Sequence, residues 1–438
     1  MGLVLGMQDF IHVKDVASVG EGKLVSVRGW VYRKREIGGK VFIVVRDSTG
    51  IVQAVVGKDN GDAFKKAEQL NIESSLVLRG YVKREPRAPG GFEIQVIDIP
   101  WSFVGWQFPI NEDAAKADSE YLLDMRHLWV RSRRMQAVLK IRDTVFGAIH
   151  EWFRGNGYYE VQAPMFITSA VEGGSTLFEV NYFDSKAYLT QSSQFYLEAL
   201  IFSLEKVYTV APSFRAERSR TRRHLTEFWH AEAEVAWAGL EDIFTVTENL
   251  ISHVVKRVLE RNLEELSILG RRTEPLENVK PPFPRVSYDE AIGILNRKGF
   301  DLKWGSDIGA DEERALTLEF TQPIHLHHFP EQVKAFYHRN DPARPETTLS
   351  VDVLAPEGYG EVVGGGERIF DYDELVGKIR RFNLNPDDYQ WYLDLRRYGS
   401  VPHAGFGLGV DRLVMWICGL DHIRDALPFP RDMRRLKP

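Results

Sequence analysis

The first hundred residues alternate between apolar and polar positions in short runs, which is the pattern of β-strands that bury one face. Three runs lie in "KLVSVRGWVYRKREIGGKVFIVVRDSTGIVQAVVG", with breaks at 38–39 and 48–50. Two more lie in "SSLVLRGYVKREPRAPGGFEIQVIDIPWSFV", with a turn at 89–91. Glycine, proline and serine end strands at these breaks because they favour turn conformations. The pattern therefore predicts a domain made of five strands.

Five short strands in about one hundred residues fit a five-stranded OB-fold β-barrel, a small Greek-key barrel of the oligonucleotide-binding kind. An SH3-like barrel or a sandwich would give a similar pattern, so alternation alone leaves these alternatives open. We predict that residues 1–106 form this barrel domain and that the polar, irregular segment 107–134 is a hinge.

Beyond the hinge the apolar spacing becomes helical. "MQAVLKIRDTVFGAIHEWFRGNG" begins at Met135 and places apolar residues on one face, and Gly155 and Gly157 indicate the end of the helix. A second amphipathic stretch runs from Leu240 to Leu269, and a closing helix is predicted in "GLGVDRLVMWICGL".

Strand-like runs in the same region come in groups between helices. Paired strands are predicted in "KVYTVAPSFR" and "EFWHAEAEVAW", and further strands near Ile324, Ala335 and Leu349. This order is typical of an α+β fold, so we predict that residues 135–438 form a domain with a mostly antiparallel sheet flanked by helices.

Composition narrows the class of protein. The chain has 438 residues, of which 44% are hydrophobic and 27% charged, as in soluble globular proteins with more than one domain. Its formal net charge of -6 means that a polyanionic partner must be met by local basic patches. The single cysteine, Cys418, excludes an internal disulfide, and no signal-peptide pattern opens the chain, so we predict a cytoplasmic protein.

The densest positive charge lies on one predicted hairpin. "PSFRAERSRTRRHLTEFWHAEAE" begins at Pro212, and guanidinium groups such as those it carries match phosphate oxygens in pairs. Phe228 on the returning strand could stack on a base. The hairpin by itself leaves two interpretations open, a solvated loop and a site for a highly negative ligand. The clustered arginines are Arg215, Arg218, Arg220, Arg222 and Arg223.

Two other segments place polar groups beside glycines. "GFGLGVDRL" puts Arg412 on a helix that starts straight after glycines, which allow close backbone approach to a ligand. "SVDVLAPEGYGEVVGGGERI" puts Asp352 and Glu361 on predicted paired strands, with Arg368 after three glycines. Because Mg²⁺ prefers oxygen ligands and shares them with phosphate, two carboxylates near a polyphosphate would suit a magnesium site. Ordinary solvation at the strand ends is the alternative, and it is favoured for each carboxylate taken singly.

Together these segments resemble the class II aminoacyl-tRNA synthetases. "FRAE" resembles their motif two, "GFGLGVDRL" their motif three, and the helix ending in "GYYEVQAP" their motif one. The motif order and the preceding barrel resemble subclass b, the aspartyl, asparaginyl and lysyl enzymes, over nearly the whole chain. The resemblance implies that ATP activates an amino acid, whose carboxylate attacks the α-phosphorus in line, before transfer to tRNA.

The resemblance also implies roles for single residues. Arg215 would bind the α-phosphate, Phe228 would stack on the adenine, and Arg412 would hold the γ-phosphate. Asp352 and Glu361 would carry Mg²⁺; Gly364 stands where the aspartyl enzymes have a serine. The implied catalytic residues are Arg215, Glu217 and Arg412, and the implied ATP-binding residues are Arg215, Glu217, Arg223, His224, Phe228, Glu361, Gly409 and Arg412.

The choice of amino acid depends on "QSSQFYLEA". The aspartyl enzymes typically read "QSPQLYKQ", whose lysine neutralises the substrate side chain, whereas this chain has Leu197 there. One cation, Arg368, then remains for the side chain, while Glu232 can accept from an amide and repel an aspartate. Resemblance to the asparaginyl branch implies asparagine as substrate. The implied amino-acid-binding residues are Glu172, Gln191, Gln194, Glu232, Arg368 and His403.

In this family the barrel reads the anticodon. The positions that match its base contacts are Arg35, Phe42, Gln53 and Glu93, with Phe42 as the stacking platform. The implied partners are tRNA(Asn), ATP and asparagine. Motif one lies at a two-fold interface in the family, which implies a homodimer.

Three alternative functions are weighed against this one. An aspartate–tRNA ligase, whether it charges one tRNA or two, is disfavoured by Leu197. A tRNA-independent asparagine-forming ligase is disfavoured by the barrel, which such relatives lack. A non-enzymatic nucleic-acid-binding protein with a degenerate larger domain is disfavoured by the intact Arg215, Glu217 and Arg412.

Overall fold

The computed structural model describes residues 10–111, 119–168, 176–218 and 221–438. Two compact units make up the chain, Met1–Leu123 and Asp124–Pro438. The predicted substrate residue Glu172 and the hairpin residue Arg220 lie outside the described residues.

The first unit contains a closed barrel of five strands, as the alternation predicted. Its interior is filled by every second residue of each strand; Val41 and Ile43 are buried, while Phe42 between them faces outward and is half-buried. The strands are β1 (Leu24–Ile37), β2 (Lys40–Arg46), β3 (Ile51–Gly57), β4 (Ser75–Arg84) and β5 (Phe92–Phe103). They close in the order β1-β2-β3-β5-β4.

The second unit is built on an eight-stranded sheet. Its strands are β6 (Tyr159–Glu160), β10 (Lys206–Phe214), β11 (Glu227–Ala236), β12 (Arg285–Ser287), β13 (Ile324–His327), β16 (Ser350–Ala355), β17 (Gly360–Glu367) and β18 (His403–Gly409). They lie in the order β12-β13-β16-β17-β18-β11-β10-β6. Only the outer pairs β12–β13 and β10–β6 are parallel, so the mostly antiparallel sheet is confirmed.

Two small sheets accompany the large one. Strands β7 (Phe166–Ile167), β8 (Glu179–Tyr182) and β9 (Ser185–Leu189) form one, and β14 (Asn340–Asp341) and β15 (Arg344–Thr348) form the other. The helices of the described residues are α1 (Val16–Val19), α2 (Gly61–Gln69), α3 (Ser119–Asp124), α4 (Arg126–Trp129), α5 (Arg133–Gly155), α6 (Gln194–Leu204), α7 (Leu240–Arg261), α8 (Leu263–Leu269), α9 (Glu274–Glu277), α10 (Tyr288–Arg297), α11 (Ala310–Thr317), α12 (Tyr372–Arg381), α13 (Gln390–Arg397) and α14 (Val410–Cys418).

Helices α5, α7 and α14 cover one face of the large sheet. Ile149, Val254 and Leu413 from these helices are fully buried in one apolar cluster with Ala233 and Phe406 of the sheet. Burial of such side chains contributes roughly 1.5–3 kcal/mol each, which fixes the helices on this face and leaves the other face for polar groups. Among the described residues, no helix has the combination of length and apolar character that would carry it across a bilayer.

The segment 107–134 is not irregular throughout, contrary to the prediction. Helices α3 and α4 lie inside it, and α5 begins inside it. Arg126 is only 1% exposed, because its guanidinium donates to the carbonyl oxygens of Arg424, Leu427 and Pro428. These partners lie some three hundred positions away along the chain. The sequence therefore gives no sign that Arg126 is buried, and its polar pattern here predicts an irregular hinge.

The strand predicted near Ala335 is also wrong, whereas β13 starts at Ile324 and Leu349 lies between two strands. Phe336 and Tyr337 are buried by packing in an aromatic cluster and not by strand pairing. An apolar run of this length does not distinguish the two cases.

Candidate active site

Strand β11 carries a row of polar side chains on the face of the large sheet that helices α5, α7 and α14 leave uncovered. His230, Glu232 and Glu234 alternate with apolar residues that enter the core beneath the sheet, such as Ala231 and Ala233. The two-residue period of a strand thus separates the polar face from the core.

Glycines in β18 give these side chains room. Gly405 lies opposite Glu234 and Gly407 opposite Glu232. A Cβ atom on Gly405 would overlap the Glu234 carboxylate, and one on Gly407 would overlap the His230 ring. The glycines therefore let the polar side chains of β11 lie across the neighbouring strand and form the floor of a cleft.

A cavity of about 200 Å³ opens at one end of this floor. Arg215 follows β10, and its guanidinium carbon lies 5.5 Å from the centroid of the Phe228 ring. His224 Nε2 lies 3.6 Å from a Glu217 carboxylate oxygen. Every residue predicted to bind ATP lines this one cavity: Arg215, Glu217, Arg223, His224, Phe228, Glu361, Gly409 and Arg412.

Arg223 is anchored by an acid that the sequence did not reveal. Its Nη1 donates to Glu313 Oε2, and the same oxygen accepts from the backbone N of Glu361 at 2.7 Å. Gly360 lies beneath the pair with φ +76°, where a Cβ atom would overlap both side chains. Glu313 is on α11, ninety residues from Arg223, and no motif marks it.

Glu361 reaches the polar face through an irregularity in β17. The pairing passes from Val353–Val363 to Leu354–Glu361 and so skips Val362. This bulge reverses the alternation and puts Glu361 beside Asp352. Burial opposes ionisation of Glu361, but Arg412, whose Nη1 donates to it at 2.9 Å, and Lys334 lower its pKa to about 2.

Asp352 has a cationic partner that the sequence analysis missed. Lys334 Nζ donates to Asp352 Oδ1 at 2.7 Å and to Oδ2 at 2.6 Å. Gly364 lies between the two carboxylates, since a Cβ atom there would be 3.2 Å from Glu361 Oε1 and 3.5 Å from Asp352 Oδ1. The carboxylates of Asp352 and Glu361 therefore converge, as predicted.

A second cavity, of about 230 Å³, adjoins the first. Arg215, His230 and Glu361 line both, while Gln194, Glu232 and Arg368 line only this one of the two. The residues predicted to bind ATP and those predicted to bind the amino acid therefore line two adjoining cavities that have wall residues in common.

Arg368 pairs with Glu234, a residue that the sequence analysis passed over in favour of Glu232. The Nε and Nη2 atoms of Arg368 donate to Glu234 Oε1 at 3.1 and 2.6 Å, and both side chains are buried. Glu232 instead accepts from the Ser192 hydroxyl and, at 2.8 Å, from the backbone N of Ser193. Both glutamates line the cavity with Arg368.

Two of the residues predicted to bind the amino acid, His403 and Gln194, contact the buried side chain of Glu198. His403 Nε2 lies 3.0 Å from Glu198 Oε2, and Gln194 Nε2 donates to Glu198 Oε1 at 3.0 Å. Glu198 is fully buried, and against that burial Arg396 and His403 hold its pKa well below the usual range. His403 thus lies behind the cavity wall and contacts the group that orients Gln194.

Gln191 and Leu197 line neither of the two cavities. The Gln191 amide donates to Thr176 Oγ1 at 2.6 Å, and both Gln191 and Leu197 are completely buried. Leu197 packs with Ile201 and Val207 in a small apolar cluster. Leu197 therefore affects the second cavity because it supplies no cation there, and not through a direct contact.

On the barrel, the residues predicted to read the anticodon share the outer face. Arg35 pairs with Phe42 across β1 and β2, with its guanidinium carbon 4.9 Å from the ring centroid. Gln53 Nε2 donates to Glu93 Oε2 at 2.8 Å, and both side chains are nearly buried. Phe42 remains half-buried and can offer a ring face to a base.

Known families and structures match both units. Residues 118–433 match the family of tRNA synthetases class II (D, K and N), and residues 25–99 match the OB-fold nucleic acid binding domain family. The predicted fold class, an OB-fold barrel followed by a synthetase-like α+β domain, is confirmed.

Similar proteins span the whole chain. The asparagine–tRNA ligase of Thermococcus kodakarensis is 53% identical over 99% of this chain and 100% of its own length. The crystal structure of asparaginyl-tRNA synthetase from Pyrococcus horikoshii complexed with asparaginyl-adenylate has a TM-score of 0.96 and 51% identity, covering 99% of this chain and 100% of that chain. Aspartyl-tRNA synthetase from Entamoeba histolytica has a TM-score of 0.83 and 25% identity, over 98% of this chain and 93% of that chain.

Proposed function

The chain belongs to the class II tRNA synthetases (D, K and N), and we propose that it catalyses the asparagine–tRNA ligase reaction. Asparagine and ATP form asparaginyl-adenylate and pyrophosphate, and the asparaginyl group passes to the 3′-terminal adenosine of tRNA(Asn). Identity over the full length is 53% to an asparagine–tRNA ligase, against 25% to an aspartyl-tRNA synthetase.

One observation carries the proposal: the cavity lined by all the predicted ATP residues shares Arg215 with the cavity that contains Arg368. A carboxylate bound in the second cavity would face an α-phosphate bound in the first. Adenylation needs this juxtaposition more than it needs a general base, because the nucleophile is already an anion and the transition state gains negative charge on phosphoryl oxygens.

The charges of the second cavity favour asparagine over aspartate. Arg368 pairs with Glu234 and Glu232 adds a second carboxyl group, while Arg215 and Lys334 also line the cavity. An aspartate side chain that reached Arg368 would meet both glutamates, whereas an asparagine amide could donate to a glutamate and accept from Arg368.

The test is ATP–pyrophosphate exchange with asparagine and aspartate in parallel, without and then with ammonia. We expect exchange that depends on asparagine. Exchange with aspartate alone would contradict the proposal. Formation of free asparagine after ammonia is added would then indicate an asparagine-forming ligase, and its absence an aspartate–tRNA ligase.

The residues fit a magnesium site. Asp352 and Glu361 converge around Gly364 and offer the oxygen donors that Mg²⁺ prefers. Within the described ranges no three His, Cys, Asp or Glu side chains group as they would around a metal ion. Because Mg²⁺ is usually bound through one or two carboxylates together with substrate phosphates, the nucleotide would supply further ligands. Bound there, Mg²⁺ would neutralise phosphate charge, and Arg412 and Arg223 add positive charge on the same side.

Replacing Phe42 with alanine should weaken tRNA charging and leave asparagine-dependent exchange unchanged. Loss of a stacked base costs about 1–3 kcal/mol, so we expect the KM for tRNA to rise about 10- to 100-fold. The measurement is aminoacylation against tRNA concentration, with exchange in parallel. Phe103→Ala, another exposed aromatic of the barrel, is the control and should change neither assay. Equal losses in both assays for Phe42→Ala would contradict an anticodon role.

The proposal extends to the assembly and the location of the protein. A homodimer follows from the family role of motif one, and three exposed aromatic residues on the small sheet that follows it, Phe166, Tyr182 and Phe183, offer an apolar surface for a second copy. A reducing compartment such as the cytoplasm suits the only cysteine, Cys418, which is buried and whose thiol pKa burial raises to about 12.

A further inference from the structure

Lys334 is held by three contacts on the polar face of the large sheet. Its ammonium donates to both carboxylate oxygens of Asp352, at 2.7 and 2.6 Å, and lies 3.9 Å from the centroid of the Phe329 ring. The side chain is 18% exposed, so the ammonium is fixed but still borders open space. A cation with this many contacts has a defined position.

The position is where two cavities meet. Lys334 lines the cavity that contains Arg368 and Glu232. It also lines a third cavity, of about 300 Å³, whose wall includes Arg223, Glu361 and Arg412 of the first cavity. Of these cations, Arg368 faces the amino-acid end and the other arginines face the nucleotide end. Lys334 faces both, a property it shares with Asp352 and Glu361.

A purely structural reason for this ion pair is weak. Removing two charges from water costs several kcal/mol each, and their attraction repays that cost only in part. A pair that is only 18% and 14% exposed, at a junction of two cavities, is better explained if one partner is needed when the cavities are filled.

We propose that Lys334 is a catalytic residue of adenylate formation, whose ammonium contacts the asparagine carboxylate and the α-phosphate where the two cavities meet. The inference rests on the proposed function. In the empty site Asp352 holds the ammonium in place. In the loaded site the ammonium reduces the repulsion between two anions that must approach each other.

The chemical step balances without a proton from Lys334. A carboxylate oxygen of asparagine forms a bond to the α-phosphorus, and the bond from that phosphorus to the bridging oxygen of pyrophosphate breaks. Pyrophosphate leaves with the electron pair. Lys334 keeps all its protons and stabilises negative charge on the phosphoryl oxygens, together with Arg215, which lines the same second cavity.

The first test is Lys334→Met in the full chain. We expect kcat for asparagine-dependent ATP–pyrophosphate exchange to fall about 100-fold, the loss typical of one missing donor to a transition-state oxyanion. Lys298→Met is the matched control, because Lys298 also pairs with a carboxylate, Glu319, but lines none of these cavities. Exchange by Lys334→Met within about threefold of the control would overturn the proposal.

The second test does not use activity. Electron paramagnetic resonance measures Mn²⁺ binding to the ligand-free protein, and Lys334→Met should bind Mn²⁺ about tenfold more tightly, because no cation competes for Asp352. Unchanged Mn²⁺ affinity would show that Lys334 does not hold Asp352 in solution and would overturn the empty-site half of the proposal.

Two outcomes separate this inference from the proposed function. If the unaltered protein lacks asparagine-dependent exchange, both fail; if it exchanges normally and Lys334→Met does too, only the inference fails. Should circular dichroism show that Lys334→Met is unfolded, Lys334→Arg decides. It keeps the charge on a wider group, and a fall of about tenfold in kcat supports contact with the substrates, whereas unchanged exchange overturns it.

Discussion

Arg215→Ala should lose asparagine-dependent ATP–pyrophosphate exchange by about 1000-fold or more, the largest effect expected from a single substitution in this protein. Arg215 is on the wall that both cavities share, and its guanidinium lies beside the Phe228 ring. In the proposed reaction its charge would act on the α-phosphate at the moment when that group gains negative charge. The measurement is exchange at saturating asparagine and ATP.

Arg272→Ala is the control for this experiment, since Arg272 is an exposed arginine outside both cavities. We expect it to exchange like the unaltered protein. Near-normal exchange by Arg215→Ala would refute the phosphate role. Loss of exchange together with loss of the cooperative unfolding transition would mean that the variant reports on folding instead.

Arg368→Leu should raise the KM for asparagine about 100-fold while the KM for ATP changes little. Arg368 lines the amino-acid cavity but not the cavity that contains the predicted ATP residues. Removal of its guanidinium takes away a donor for the substrate side chain. It also leaves Glu234 buried without its partner, at a cost of about 3 kcal/mol in folding stability. The measurement is exchange as a function of each substrate in turn.

A matched variant separates stability from recognition. Arg368→Leu combined with Glu234→Gln replaces the buried carboxyl group that has lost its partner and should regain part of the unfolding free energy, but not the affinity for asparagine. Equal increases in the KM for asparagine and for ATP would contradict the assignment of Arg368 to the amino-acid end. Arg368→Lys, which keeps the charge without the planar fork, should give an intermediate KM.

The predictions made from the sequence were good where the signal was local. Strand alternation located the five barrel strands, and the motif residues from Arg215 to Phe228 and from Gly409 to Arg412 meet in one cavity. Errors came where a residue's partners were distant. The sequence suggested that Arg126 belongs to a polar hinge, but its guanidinium is buried by a carbonyl group far along the chain. It also suggested a strand near Ala335, where the apolar residues are instead buried by packing in an aromatic cluster.

The residues predicted to bind the amino acid show the same difference between local signals and distant partners. Glu232 and Glu234 occupy equivalent positions of one strand, so the sequence could not choose between them as the partner of Arg368. The structure pairs Arg368 with Glu234 and ties Glu232 to Ser192 and Ser193. His403 likewise proved to support Glu198.

By itself, the sequence determined the two kinds of domain, the polar and apolar faces of the large sheet, and the basic hairpin with its glycine-flanked helix. These features depend on periodicity and on neighbours along the chain. Only the tertiary structure decided which charges meet: Lys334 with Asp352, Arg223 with Glu313 and Arg368 with Glu234, at separations of 18, 90 and 134 residues. A bulge at Val362 turned Glu361 toward the first of these pairs. The physical reason is that electrostatic pairing depends on the distance between two charges in space. Strand order and packing determine that distance, and the number of residues between the charges along the chain does not.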